Sequence, residues 1–210
     1  MSKYWENMHD TEDKMHWIEE SNVREKNFCL IMKKLGKNLI INPDKRAKPT
    51  EPDLLDVDTN NLAELKTIFT PIFTIPWLYP KHTFVPQYTA TFDRPDYENY
   101  LSNYPGLQVY FFVRWDELQY IDKKGKYDPI SVKPMLGIWL TSIEEIHREI
   151  TNRKIPYRLK LIRKDGTNKI FDKDGNSKYN YPLDVRWFEE LYYKGPEYKN
   201  SKILDLLKGK

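Results

Sequence analysis

Two acidic residues and a lysine stand at a spacing that could cleave a phosphodiester bond. Asp53 follows Pro52, Glu64 comes eleven residues later, and Lys66 lies two positions beyond Glu64. Carboxylate oxygens are the ligands that Mg²⁺ prefers, usually one or two of them, with water and substrate oxygens completing the octahedron. A metal held there lowers the pKa of a water and neutralises charge on the phosphate. A neighbouring lysine can orient or help deprotonate that water, or stabilise the phosphate charge. The three residues together therefore predict a metal-dependent hydrolytic site.

A β-hairpin is the element that would bring these residues together. Residues 53–57 and 62–69 have the pattern of strands, and the turn-forming sequence Asp-Thr-Asn-Asn lies between them at 58–61. Positions two apart on a strand share a face, so Glu64 and Lys66 should project together. The turn then folds Asp53 back beside them. Asp56 is the alternative metal ligand if the register of the hairpin differs.

The acid-x-Lys triplet is not specific by itself. The chain contains four of them, and only Glu64/Lys66 lies within an apolar strand pattern and follows a Pro-Asp strand start. The alternative interpretation of this pair is an exposed ion pair on an edge strand. The context therefore favours a site at Glu64 and Lys66 over the other three triplets.

Glu25 is a further candidate, on a helix predicted over 21–35 that Ser21 would cap and Gly36 would end. It lies three residues before Phe28 and seven before Met32, on the apolar stripe that faces the core. A carboxylate on a buried face costs free energy unless it is paired or bound to a metal. The other interpretation is a boundary glutamate paired with a lysine or arginine.

Pro52-Asp53 with Glu64-Leu65-Lys66 resembles the signature of the PD-(D/E)xK nuclease superfamily, which includes restriction enzymes, junction resolvases and phage exonucleases. The resemblance covers about 21–69 by motif and extends to residue 115 by pattern. It implies a Mg²⁺-dependent deoxyribonuclease, with Mn²⁺ as a substitute, in which Asp53 and Glu64 bind the metal. Lys66 would act on the attacking water, and Glu25, which matches a helix glutamate of many members, would assist through a water on the metal. DNA would be the substrate, and a homodimer is expected where two strands are cut.

The predicted fold class is α/β, with a mixed central sheet flanked by helices and a restriction-endonuclease-like core. Residues 1–115 would form the nuclease core, and residues 116–210 a β-rich C-terminal elaboration packed on the same core. A buried strand is predicted at 107–115, and Ser142 with Glu145 has the spacing of a capping box that opens a helix. The remaining predicted elements are helices at 95–103 and 201–207 and strands at 38–41, 157–163, 168–171 and 181–186.

The charge of the chain is unevenly distributed. Residues 151–210 hold 15 Lys/Arg and 8 Asp/Glu, a balance of +7, whereas residues 1–150 have a balance of −4. A basic C-terminal part could contact the phosphates of DNA, or it could be an ordinary solvated surface. The candidates for nucleic-acid contact are the alternating residues of one predicted strand and a strand-end arginine: Arg158, Lys160, Arg163, Lys164 and Arg114.

Composition excludes several other classes. No run of 18 apolar residues occurs, which argues against a membrane-spanning helix, and the N-terminus is too polar for a secretory signal. The single cysteine argues against disulfides and cysteine-rich zinc sites and favours the cytoplasm. The four histidines are dispersed, which argues against a histidine zinc site. Residues 172–176 resemble a calcium loop, but their glycine does not stand at the position that such a loop requires. No glycine-rich phosphate loop is present, so we expect no nucleotide cofactor.

Two other functions stay open. The same fold could serve as a nucleic-acid-binding or protein-interaction module without catalysis. It could also be an antagonist protein of a mobile element, although the basic C-terminal balance disfavours this. The usage of Lys, Asn, Ile and Tyr is typical of an AT-rich genome, bacterial or phage.

Overall fold

The computed structural model describes residues 14–48, 50–115, 118–121, 125, 128–159 and 179–195; for 14–22, 46, 118, 158 and 159 it describes the backbone alone. These ranges contain the helices α1 (Lys14–Lys34), α2 (Ile75–Leu78), α3 (Arg94–Asn103) and α4 (Ile143–Asn152). The strands are β1 (Leu39–Ile41), β2 (Leu54–Asp56), β3 (Asn61–Ile68), β4 (Thr89–Asp93), β5 (Gln108–Trp115), β6 (Leu118–Tyr120), β7 (Ile130–Val132), β8 (Met135–Ser142), β9 (Arg158–Leu159), β10 (Tyr179–Asp184) and β11 (Glu189–Lys194). None of the described helices is both long and apolar enough to cross a membrane.

A six-stranded mixed sheet in the order β1-β2-β3-β5-β8-β11 forms the centre of the fold. Strands β3 and β5 run parallel, and the other neighbours in this sheet are antiparallel. A smaller sheet, β4-β10-β9, and the pair β6-β7 lie outside it. Helices flank the central sheet, so the predicted α/β class with a mixed sheet is confirmed.

Both faces of the central sheet are covered, which explains the continuous apolar sequence of β5. Along β5, Val109 and Phe111 pack with residues of α3 and α4, whereas Tyr110 and Phe112 pack with α1. Alternate side chains of a strand point to opposite faces, so a strand covered on both sides needs apolar residues at every position. The sheet is therefore the middle layer between two hydrophobic cores.

The predicted helices around the site are present, with shifted ends. Helix α1 begins seven residues before Ser21, so Ser21 lies inside the helix and does not cap it. Gly36 ends the helix as predicted, because its φ of +80° suits a residue without a side chain. Helix α4 begins after Ser142, whose hydroxyl oxygen accepts a hydrogen bond from the Glu145 N–H at 3.1 Å, as the capping pattern predicts.

Strand β8 is a central element that the sequence did not predict. All but one of its eight residues are buried, and it pairs antiparallel with β5 over eight positions, from Gln108 opposite Ser142 to Trp115 opposite Met135. In a short run of apolar residues, polar and apolar positions do not alternate, so the sequence does not distinguish a buried strand from a buried helix segment. The boundary expected at residue 115 thus falls between two strands that pair with each other.

Three predicted elements lie wholly or partly outside the described residues. Strand 168–171 and helix 201–207 lie wholly outside. Of the strand expected at 157–163, the backbone of β9 is described and pairs with β10.

Candidate active site

The hairpin forms in the register that the site requires. Leu54 pairs with Ala63 and Asp56 with Asn61, so β2 and β3 are joined by the predicted turn. Asp53 immediately precedes β2. Its N–H donates to Glu64 Oε2 at 3.3 Å, and the Leu65 N–H donates to Asp53 Oδ2 at 3.2 Å. The backbone of each strand therefore positions the carboxylate of the other.

Asn42 holds the Pro52–Asp53 segment in place from the neighbouring strand. Its N–H donates to the Asp53 carbonyl oxygen at 2.9 Å, and its side-chain amide donates to the Pro52 carbonyl oxygen at 2.9 Å. Asn42 is buried, so both bonds are shielded from water. The start of β2 is thereby anchored on the end of β1.

Glu64 and Lys66 project from the same face of β3, as predicted. Their side chains form an ion pair of 2.8 Å, whereas Ala63 and Leu65 pack against α1 on the opposite face. Glu64 is only 4% exposed. Its burial, followed by the charge of Asp53, raises the pKa of Glu64 to about 7.

Helix α3 supplies two partners that the sequence analysis did not identify. Asp96 Oδ2 accepts from Lys66 Nζ at 2.7 Å, and the Tyr100 hydroxyl donates to Glu64 Oε2 at 2.9 Å. The two residues are four apart, so they lie side by side on one helix face. That spacing, on a helix that was itself predicted, is the signal that could have identified them.

Lys66 is surrounded by carboxylates and an aromatic ring. Its ammonium lies 5.0 Å from the centroid of the Phe92 ring. Burial by itself would lower the pKa of Lys66, but the attraction of the carboxylates, Glu64 foremost, outweighs burial and holds the pKa above its ordinary value. Lys66 is therefore a charged ammonium at neutral pH.

Glu25 reaches the site through Lys45, another residue that the sequence analysis did not identify. Glu25 is 2% exposed and lies on the buried stripe of α1 with Phe28 and Met32, as predicted. Lys45 Nζ donates to Glu25 Oε1 at 2.7 Å and also to Asp53 Oδ1. Burial would lower the pKa of Lys45, but Asp53 and Glu25 outweigh it and raise the pKa. Lys45 belongs to a short 3₁₀ turn at 43–46, which carries no pattern that marks a site.

These side chains form a cluster in which acidic and basic groups alternate. We call it the acidic cluster; its members are Glu25, Asp53, Glu64, Asp96, Lys45 and Lys66. Its four carboxylates and two ammonium groups give a formal charge of −2. Carboxylate oxygens are the hard donors that a divalent cation prefers, and Asp53 and Glu64 are the two residues that could hold one here. Among the described residues, no group of three or more His, Cys, Asp or Glu side chains is placed so that it could hold a metal ion. A cation at Asp53 would also have to replace Lys45.

Asp56, the alternative ligand, has a different role. Its Oδ1 accepts the Asp58 N–H at 3.0 Å within the hairpin turn. This bond is a local turn closure, common for Asp at such positions. Asp53, and not Asp56, makes the contacts with Glu64 and Lys45.

Beside the acidic cluster is a cavity of about 420 Å³ at the carboxyl end of β3. Lys66 and the following residues through Thr70 form one wall, and Arg24 of α1 with Thr91 and Asp93 of β4 form the rest. The Arg24 guanidinium lies 5.0 Å from the Phe69 ring centroid. Lys66 is therefore shared between the acidic cluster and the cavity.

The residues predicted to contact nucleic acid are only partly described. Arg114 is half-buried on β5, one position beyond Val113, which pairs with Ile68. It thus lies at the same end of the sheet as the cavity. Arg158 is described by its backbone in β9, and Lys160, Arg163 and Lys164 lie outside the described residues.

Comparisons with protein-family models, with curated proteins and with solved structures give no significant match.

Proposed function

We propose that the chain is a Mg²⁺-dependent nuclease that hydrolyses phosphodiester bonds in DNA. The observation that carries this proposal is the meeting of Asp53, Glu64 and Lys66 on one hairpin, where the buried Glu64 contacts both the Asp53 N–H and the Lys66 ammonium. Their residue types also match the PD-(D/E)xK pattern that the sequence resembles. A cytoplasmic location, Mn²⁺ as a substitute metal and a homodimer belong to the same proposal.

Asp53 and Glu64 would hold the cation, which when bound supplies a more acidic water and neutralises charge on the phosphate. The Tyr100 hydroxyl and the Asp53 N–H hold Glu64 at the distances given above, so its oxygens are positioned before any ligand arrives. Glu25, held by Lys45 beside Asp53, would orient a water at the edge of the site. Glu64 is thus held in place before a cation binds, whereas Lys45 would have to leave Asp53 when the cation enters.

Lys66 would stabilise the negative charge that develops on the phosphate. Hydrolysis forms a bond from water oxygen to phosphorus and breaks a bond from phosphorus to a sugar oxygen, which leaves with a proton. The neighbouring carboxylates, Glu64 foremost, raise the pKa of Lys66 above its ordinary value and so favour the charged ammonium that this role needs.

The test is a cleavage assay on supercoiled plasmid, linear duplex, single-stranded DNA and a four-way junction, with Mg²⁺, Mn²⁺ or EDTA. We expect cleavage that needs the metal and falls by about 10²–10³-fold in Lys66→Ala, since that is the usual cost of losing one electrostatic stabiliser. Lys26→Ala, an exposed lysine of α1, is the matched control and should cut like the parent. Thermal melts of both variants separate loss of function from loss of fold.

A catalytically inactive binding module on the same fold is the second candidate. The observation in its favour is Lys45, whose ammonium already contacts Asp53. Cutting in EDTA, or cutting that survives Lys66→Ala, would show that the assigned site is wrong. Binding of DNA with no cleavage of any substrate would favour the module.

A further inference from the structure

The cavity beside Lys66 differs in chemistry from the acidic cluster behind it. Among the described residues, its lining includes the basic Lys66 and Arg24, the threonines at 67, 70 and 91, and a single acidic residue, Asp93. Arginine, lysine and threonine side chains are common donors to the phosphate oxygens of nucleic acids. The lining is therefore suited to an anion with several oxygen acceptors.

The position of the cavity ties it to the proposed reaction. Lys66 contacts Glu64 and Asp96 on one side and lines the cavity on the other. A DNA strand with its scissile phosphate at Lys66 would therefore place its next nucleotide in the cavity. This step rests on the proposed nuclease function.

The size of the cavity decides which form of DNA can enter. About 420 Å³ is near the lower end of the range of roughly 300–1,000 Å³ for small-ligand pockets. One nucleotide fits such a volume. The cavity opens to solvent, so a duplex, whose major groove alone is about 12 Å wide, can lie across its mouth, but its paired bases cannot enter. A nucleotide that enters must leave its base pair and stack, which costs least when the strand is already unpaired.

We propose that the cavity beside Lys66 binds one unpaired nucleotide next to the scissile phosphate. The substrate is then single-stranded DNA, or an unpaired end or flap, and not the interior of an intact duplex. Arg24 and the threonines bind the phosphate and sugar of that nucleotide. Arg24 is positioned by its contact with the Phe69 ring.

The test measures binding in EDTA, so that it does not depend on cleavage. The full chain is titrated against a fluorescently labelled single-stranded 12-mer, sized at roughly one single-strand site, and against the same sequence as a duplex, with anisotropy as the readout. We expect the single strand to bind at least about tenfold more tightly than the duplex at equal salt.

Three variants locate the binding. Arg24→Met removes the charged donor and keeps a side chain of similar length. It should weaken single-strand binding about tenfold and change duplex binding by less than about threefold. Thr70→Val, a nearly isosteric change at an exposed position, should weaken single-strand binding by a smaller factor and keeps the test valid if Arg24→Met misfolds. Arg148→Met, on the exposed side of α4 and outside the cavity lining, should leave both affinities unchanged.

The inference would be overturned if the parent protein bound duplex as tightly as single-stranded DNA. It would also be overturned if Arg24→Met lost affinity equally for single-stranded and duplex DNA. The outcome also separates this inference from the proposed activity. If the single strand binds through the cavity but is not cleaved with Mg²⁺ or Mn²⁺, the binding role of the cavity stands and the proposed nuclease activity is refuted. Metal-dependent cleavage confined to the interior of duplexes would support the nuclease activity and refute the proposed role of the cavity.

Discussion

Lys45 lies between two carboxylates that come from distant parts of the chain. Glu25 is twenty residues before it and Asp53 eight residues after it. The side chains of Glu25 and Asp53 are 3% and 15% exposed, and that of Lys45 is 24% exposed. Two acids this close and this well shielded would repel each other without the ammonium between them. Lys45 therefore stabilises the site in the absence of a metal.

At the residue scale, Lys45→Met should lower the free energy of unfolding in EDTA by about 3 kcal/mol, because it removes the ammonium that two shielded carboxylates share. Urea denaturation measures this difference. Lys48→Met is the matched control three residues away: its side chain is 69% exposed and its ion pair with Glu51 spans 3.5 Å. Such a surface pair contributes about 0.5 kcal/mol or less. Equal losses in the two variants would contradict the role given to Lys45.

At the scale of elements, β8 joins the two halves of the chain in one sheet. Its Gly137 lies opposite Val113 of β5, and Trp139, two positions along on the same face, is 1% exposed. A Cβ built on Gly137 would overlap the Trp139 indole. The glycine therefore makes room for a large aromatic side chain in the core.

Gly137→Ala should cost about 2 kcal/mol of unfolding free energy, within the usual range for overpacking a core. The measurement is again urea denaturation, with Ser131→Ala on the exposed part of β7 as the control. We expect the control to change stability by less than about 0.5 kcal/mol. A Gly137→Ala protein as stable as the parent would show that the indole has another place to go.

At the scale of the whole molecule, the hydrophobic core crosses the boundary expected at residue 115. Val109 and Phe111 of β5 share a core with Trp139, Leu183 and Phe188. A fragment that ends at residue 115 would lose the whole β8 partner of β5 and expose this core.

We therefore expect the full chain to unfold in one cooperative transition, with tryptophan fluorescence and far-UV circular dichroism giving the same midpoint. The fragment 1–115 should be unfolded by the same criteria. Two separate transitions, or a folded fragment, would show that the first 115 residues are an independent unit. A homodimer stays a prediction, and a single-stranded substrate would not require one.

Features that depend on neighbours along the chain could be predicted from the amino-acid sequence. The turn at 58–61 and the apolar pattern around it specify the hairpin, and its register then brings Asp53 to Glu64. The period of α1 places Glu25 on the buried face, and Ser142 marks the start of α4. Each of these features rests on a spacing of a few residues, which local geometry converts directly into a position in space.

The side chains that complete the site are brought together by long-range packing and could not be predicted in the same way. Lys66 meets Asp96 thirty residues away, and Glu64 meets Tyr100 thirty-six residues away. Such pairs depend on how α3 packs against the sheet, and no local spacing encodes that packing. The same holds for the cavity, since Arg24, Lys66 and Thr91 come from a helix and two strands of different sheets. Long-range packing sets these positions, whereas periodicity and turn chemistry act over a few residues only.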